Sequence, residues 1–183
     1  MAEALLIQPI DLKRFTFVDG NLDTDKLLQF VKIAQDIHIQ SYLGTDLLNK
    51  LKADVTAGTL SGVYLTLLDT YVKPMLIHWA MVEYLPFAAY NVTNKGMYKS
   101  TSENAETVEK NEVDFLIQKS RSLAENYSQR FVDYMVYNQS SFPEYTSNTE
   151  NDLFPNHGSN QITNWYIWNK KANIKLKKRT LRS

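Results

Sequence analysis

The fold is decided by residues 61–86, which have the sequence SGVYLTLLDTYVKPMLIHWAMVEYLP. The apolar residues of this stretch recur at helical spacing and cover more than one face of the helix that they predict. They are Val63, Leu67, Leu68, Tyr71, Val72, Met75, Leu76, Trp79, Val82 and Leu85. A helix that is apolar nearly all round belongs at the centre of a bundle. We therefore predict an all-α protein built around this helix, which opens at Ser61 and is bent by Pro74 and Pro86.

Three amphipathic patterns around the central helix complete the prediction of a small bundle of about four helices. The first spans residues 23–42, places Ile37 on its buried face, and is stopped by Gly44. The second is short and spans residues 46–57. The fourth spans residues 105–137 and would be on the order of 50 Å long, which exceeds what a compact bundle of this size needs.

Composition divides the chain into a helical domain and two arms. Residues 1–22 are predicted to form an extended N-terminal arm, because Pro9 interrupts a short apolar run. Residues 23–137 form the helical domain, with a polar loop at 91–104. From 138 to 183 the chain is predicted to be an extended C-terminal docking arm, because its first part is dominated by Asn, Ser, Thr and Pro.

The C-terminal arm carries an aromatic cluster followed by a basic run. The cluster consists of Trp165, Tyr166, Ile167 and Trp168, and the basic residues are Lys170, Lys171, Lys175, Lys177, Lys178, Arg179 and Arg182. Residues 170–183 thus hold seven basic side chains and no acidic one, which leaves 13 basic against 20 acidic residues in the rest of the chain. Such asymmetry predicts docking on an acidic partner, which could be a neighbouring copy, another protein or nucleic acid.

Two interpretations of this arm remain open at the level of sequence. The aromatic cluster could fold back on its own chain, or it could anchor on another subunit, where Trp and Tyr are favoured contact residues. The basic run could contact phosphates without sequence choice, and aromatic residues mixed with basic ones also suit single-stranded nucleic acid.

Catalytic and metal-binding patterns are missing from the sequence. The chain has no Cys, and His38, His78 and His157 lack the spacing of helical metal ligands. Residues 19–25 resemble a calcium loop only superficially, because the glycine comes too early and no Glu closes the loop. The acidic pairs within 106–112 are typical of a solvated helix face. We therefore predict that the protein is not an enzyme and that it has no catalytic residues, no metal and no cofactor.

Membrane insertion is also not predicted. The longest apolar stretch, residues 75–90, is shorter than the roughly 20 residues that span a bilayer, and it contains His78, Glu83 and Pro86. The N-terminus has no basic segment and only a short apolar run, so no secretory signal is expected.

Several of these segments together resemble phage head–tail connector (adaptor) proteins. The resemblance rests on residues 33–37 (IAQDI), residues 41–48 (SYLGTDLL), the buried helix through residues 74–90, and the loop 94–97 (NKGM). It is closest to the connectors of tailed phages of gut Bacteroidetes, including crAss-like phages, and covers roughly residues 10–137.

This resemblance implies a virion structural protein of the neck or tail region, made in the host bacterial cytoplasm. It implies a homo-oligomeric ring, commonly dodecameric, that joins the portal to the next tail component and extends the channel through which DNA passes. The C-terminal arm would engage the portal or neighbouring subunits, and an inter-subunit loop would contact an adjacent copy or line the channel. The residues of that loop are Lys95, Gly96, Met97, Tyr98 and Lys99. Another neck or tail-completion ring protein, or a helical nucleic-acid-binding module using the basic run, are the alternative interpretations.

Overall fold

The computed structural model describes residues 4–18, 22–88, 90–93, 96–99 and 110–156. The predicted all-α class is confirmed. The α-helices of these ranges are α1 Pro9–Phe15, α2 Thr24–Ala34, α3 Gln40–Leu43, α4 Thr45–Ala57, α5 Gly62–Thr66, α6 Lys73–Tyr84 and α7 Lys110–Asn138. Two π-helical segments join neighbouring helices without a break, Gln35–Ile39 between α2 and α3 and Leu67–Val72 between α5 and α6.

The central helix is α6, and its position matches the prediction. It packs against α2 on one side and α7 on the other. Its buried residues point in all directions around the axis, as the sequence pattern required. They are Met75, Leu76, Ile77, Trp79, Ala80, Met81 and Val82. Pro74 lies in the first turn of α6, directly after a π-helical segment, so the wider turn absorbs the backbone hydrogen bond that proline cannot donate.

The first long helix changes its face at the π-helical segment Gln35–Ile39. Asp23, the first residue of the predicted span, caps its start by accepting a hydrogen bond from the Asp25 backbone at 3.0 Å. The wider turn then rotates the following side chains relative to a regular α-helix. Ile39 is therefore buried, whereas Ile37 is 60% exposed, and the placement of Ile37 on the buried face was wrong.

The N-terminal segment differs from the extended arm that the sequence predicted. It contains α1, and Leu6, Ile7 and Leu12 are buried in the core. Gln35, itself fully buried, accepts a hydrogen bond from the Leu6 backbone at 2.8 Å. The reason is Pro9, which starts α1 rather than interrupting the segment, because proline is well tolerated in the first turn of a helix.

A two-stranded hairpin replaces the predicted polar loop before α7. Strand β1 (Tyr90–Thr93) pairs antiparallel with strand β2 (Gly96–Lys99), and Tyr90 lies opposite Lys99. Gly96 therefore begins a strand within the range that was predicted to be a loop. Tyr, Val and Thr favour strands, and the two residues between the strands are the shortest common hairpin connection.

The last long helix, α7, has 29 residues and is about 43 Å long. It ends at Asn138, within one residue of the predicted end, and the predicted start at 105 lies outside the described residues. Ala124, Phe131 and Met135 form its fully buried stripe towards the core.

Candidate interaction site

The turn between α3 and α4 is closed by a glycine in a conformation that other residues avoid. Gly44 has φ 76° and ψ 163°, and its N–H donates to the carbonyl of Gln40 at 2.8 Å. Its backbone ends α3 and, without any intervening residue, begins α4 at Thr45. Glycine alone adopts this region readily, because it has no Cβ. The result is a tight helical hairpin whose turn, Leu43 to Thr45, is buried.

The turn is buried because residues 146–156, which we call the strap, lie across it. The Thr45 N–H donates to the Leu153 carbonyl at 3.0 Å, and the Asn156 N–H donates to the Ser41 carbonyl at 2.6 Å. Pro155 is buried directly against Gly44, and a Cβ at Gly44 would lie 2.7 Å from the Pro155 Cδ. The backbone of the strap is therefore fixed to the hairpin at both sides of the turn.

Side chains of α4 hold the first half of the strap. The Asp46 carboxylate accepts hydrogen bonds from the Ser147 hydroxyl at 2.6 Å, the Thr149 N–H at 2.9 Å and the Thr149 hydroxyl at 3.1 Å. These hydrogen bonds, of which the one from Ser147 has the largest effect, hold the pKa of Asp46 below its usual value, because they stabilise the ionised carboxylate. Asp46 therefore acts as a charged acceptor that organises the strap.

The second half of the strap is held through Asp152. Its carboxylate accepts hydrogen bonds from the Thr45 hydroxyl at 2.8 Å and from the Gln40 side-chain amide at 3.1 Å. The Thr45 hydroxyl in turn accepts from the Leu153 N–H at 3.2 Å. Asn148 closes the strap internally, because its side chain exchanges hydrogen bonds with the backbone of Asp152.

Two aromatic residues before the strap lie in the hydrophobic core. Phe142 and Tyr145 are buried, and Phe142 packs edge-on against Tyr64 with ring centroids 5.3 Å apart. The Tyr64 hydroxyl donates to Glu144 at 2.7 Å, and burial together with this carboxylate raises the pKa of Tyr64 to about 12. Residues 139–156 thus belong to the folded body, and the predicted boundary at 138 differs from the structure.

The outer surface of the strap combines exposed apolar and acidic side chains. Leu153 is 47% exposed and Phe154 is 61% exposed, although the backbone next to them is fixed. Glu150 and Asp152 lie beside them on the surface, and residues 139–156 contain no basic side chain. A rigid apolar patch with charges at its edge is the usual composition of a protein interaction site.

Most of the predicted site residues lie outside the part of the chain that the structure describes. The aromatic cluster Trp165 to Trp168 and the basic run Lys170 to Arg182 lie outside the described residues, as does Lys95. Gly96 to Lys99 form β2. Of the predicted docking residues, the part of the chain that the structure describes therefore includes only those of β2. The strap residues were not predicted to form a site. Phe142 and Tyr145, two aromatic residues three positions apart just before the strap, did indicate that part of the polar stretch is buried.

A second cluster, which includes a histidine, a carboxylate and a serine, joins the π-helical segment Gln35–Ile39 to α6 and α7. The His38 ring stacks on Trp79 at 3.9 Å, and its Nε2 lies 2.8 Å from a carboxylate oxygen of Glu83. The Trp79 N–H donates to the Ser128 hydroxyl at 3.0 Å, and that hydroxyl donates to the Ala124 carbonyl. Trp79 thus separates Ser128 from His38, so the serine has no adjacent base and the cluster is not a catalytic triad. Its role is to join three helices.

His78 makes the stability of the fold sensitive to mild acid. Its ring stacks on Tyr127 at 5.2 Å, and burial lowers the pKa of His78 below its ordinary value. The unfolded chain therefore binds a proton at His78 more tightly than the folded chain does. The contribution of neutral His78 to the free energy of unfolding is fully present above about pH 6.5 and is lost as the pH falls. We expect His78→Gln to flatten the decline of the unfolding free energy between neutral and mildly acidic pH, measured by urea denaturation. Identical slopes for the wild type and His78→Gln would contradict the assignment.

Within the ranges that the structure covers, no helix combines the length and the apolar character needed to cross a membrane. In the same ranges, no group of three or more His, Asp or Glu side chains is arranged to hold a metal ion.

Comparison with known proteins gives one match. A family model described as "Family of unknown function (DUF6712)" matches residues 39–155, which is more than half of the chain. The matched region includes the helical hairpin, the central helix, α7 and nearly all of the strap. No curated protein and no solved structure matches the chain.

Proposed function

The chain belongs to the DUF6712 family, whose function is unknown, and from this premise we propose that it is a non-enzymatic virion structural protein. It serves as the subunit of a head–tail connector ring in the neck of a tailed phage. In this role it binds the portal on one side and a tail or neck protein on the other, and DNA passes through the ring. The ring is homo-oligomeric, and the dodecamer is the expected form. The protein is made in the host bacterial cytoplasm and does not enter a membrane.

The strap is the observation that carries this proposal. The Asn156 N–H is bonded to the Ser41 carbonyl, so the backbone is fixed beside the hairpin turn as far as residue 156, and 27 further residues follow in the sequence. That turn lies in the segment 41–48, which also carries the resemblance to connector proteins. An adaptor between two partners needs a rigid body and a long contact segment that starts at a defined place, and this arrangement supplies both.

A nucleic-acid-binding module is the second candidate, and the basic run favours it. Its seven positive charges could neutralise phosphates. The remainder of the chain has an excess of acidic residues, which would repel a nucleic acid from the folded body. The two candidates therefore differ in which part of the C-terminal segment dominates binding.

Binding to the portal should depend more on the aromatic cluster than on the basic run. We expect Trp165→Ala/Trp168→Ala to weaken binding of the full chain to the portal ring of the same phage by about tenfold or more. The portal is bound by the assembled ring, and tryptophans that anchor the arm on the portal or on a neighbouring subunit are frequent hot spots. The triple change Lys177→Ala/Lys178→Ala/Arg179→Ala should have a smaller effect. Surface plasmon resonance at two salt concentrations measures both. The opposite ranking with a steep salt dependence, together with binding to single-stranded DNA, would support the nucleic-acid-binding module instead.

A further inference from the structure

We infer that the outer surface of the strap is the receptor for the C-terminal segment of a second copy of this chain. The receptor, which we call the strap patch, consists of Glu150, Asp152, Leu153 and Phe154. The segment that it receives contains the aromatic cluster and the start of the basic run, Trp165 to Lys171. This inference rests on the proposed function and names the contact by which neighbouring subunits of the ring hold each other.

The chemistry of the two surfaces is complementary. The strap patch has two acidic and two large apolar side chains within five consecutive residues, all of them exposed. The C-terminal segment offers large apolar side chains followed by basic ones, with no acidic residue from 157 to 183. Aromatic and aliphatic side chains that bury each other supply affinity, and opposite charges at the edge fix the orientation.

The backbone of the strap patch is also suited to an extended ligand. Leu153 and Asn156 direct backbone hydrogen bonds towards the hairpin. Phe154 makes no hydrogen bond among the described residues, so its N–H and C=O can pair with an approaching strand. An extended peptide that adds to such an edge gains backbone hydrogen bonds as well as side-chain contacts.

The length of the segment favours a neighbouring copy over its own strap. A compact body of about 150 residues is about 38 Å across, which is also the spacing of adjacent subunits in contact. Measured from Asn156, an extended chain reaches about 30 Å at Trp165 and about 46 Å at Lys170. The aromatic cluster therefore arrives where the next strap patch lies, whereas binding to its own strap requires the chain to reverse within residues 157–164.

Such a contact also generates a ring. The donor segment and the strap patch are different surfaces, so the interface is heterologous and each subunit can hold the next one. Repetition of one heterologous contact closes into a ring when the rotation between subunits is suitable. Each subunit carries one donor segment and one strap patch, so it can contact one neighbour on each side.

The test is a mixing experiment with two full-length variants, each of which lacks one half of the contact. Glu150→Lys/Phe154→Ser changes the strap patch at two exposed side chains, and it removes one hydrogen bond, from the Asn49 side-chain amide to Glu150 at 3.2 Å. Trp165→Ser/Trp168→Ser changes the donor segment. Phe115→Ser is the matched control, because Phe115 is exposed to a similar degree (65%) but lies on α7. Circular dichroism checks that every variant is folded, and sedimentation velocity measures assembly.

We expect the wild type and Phe115→Ser to assemble, and each of the two double variants to remain monomeric, with the association weakened about tenfold or more. An equal mixture of the two double variants should form a dimer and nothing larger, because only one productive contact remains. A strap-patch variant that assembles like the wild type would overturn the inference. A monomeric wild type, or a mixture that stays monomeric, would overturn it as well.

These outcomes are distinguishable from failure of the proposed function, which is measured by binding to the portal ring. If portal binding persists while the strap-patch variant still assembles, the connector function stands and the receptor is located elsewhere. If the wild type neither assembles nor binds the portal ring, both proposals fail.

Discussion

Phe142→Ala is expected to lower the free energy of unfolding by about 3–5 kcal/mol, the usual cost of replacing a core phenylalanine by alanine. The Phe142 side chain is fully buried, and it lies edge-on to Tyr64 at 5.3 Å and 6.2 Å from the ring of Tyr134. Its removal would leave a cavity between residues 139–145, α5 and α7. Urea denaturation followed by circular dichroism measures the change.

Phe154→Ala is the matched control for this prediction. It removes the same side chain twelve residues later, from a position that is 61% exposed, so the unfolding free energy should change by no more than about 0.5 kcal/mol. Equal effects of the two substitutions would show that residues 139–145 do not belong to the core. The contrast therefore tests where the folded body ends.

The main helices could be predicted from the sequence because their apolar residues are periodic. The central helix was found from residues 61–86, where the pattern needs no knowledge of neighbours. The end at Gly44 was also found, since glycine is common where a helix ends with a positive φ angle. Local physical rules thus account for most of the bundle.

The π-helical segments could not be predicted in the same way. A π-helical turn changes the hydrogen-bond register by one residue, and no residue type is required for that change. Its effect is seen at Ile37, which helical periodicity placed inside and the structure exposes. Pro9 gave a similar difficulty, because the same residue can interrupt a strand or begin a helix, and only the burial of Leu12 on α1 decides between them.

The strap escaped prediction because its contacts join residues that are far apart in the chain. Asp46 and Ser147 are 101 positions apart, and Thr45 and Asp152 are 107 apart. Polar residues in a row predict a loop when they are considered locally, and they gave no sign that the hairpin turn satisfies their hydrogen bonds. The aromatic cluster stood out by its composition, so the predicted site was placed at residues 165–168. The exposed apolar and acidic surface of the strap begins instead at Glu150.

Gly44→Ala is expected to destabilise the protein by about 3 kcal/mol or more, because two costs add at this position. The backbone angles of Gly44 lie in a region that is essentially restricted to glycine. An added Cβ would also lie 2.7 Å from Pro155 Cδ and 2.9 Å from Pro155 Cγ, which is closer than van der Waals contact permits. The strap must therefore move away from the turn, or the turn must change.

The matched control is Gly58→Ala, which has a backbone cost but no steric clash. Gly58 also has a positive φ angle, 66°, but nothing lies within 4 Å of the position that its Cβ would take. This variant should lose only about 1–2 kcal/mol, the cost of a left-handed conformation for alanine. Hydrogen exchange adds a local readout, since the amides of Thr45 and Asn156 should lose protection in Gly44→Ala and keep it in Gly58→Ala. Equal destabilisation with both amides still protected would mean that Pro155 does not close the turn and that residue 156 is not fixed beside it.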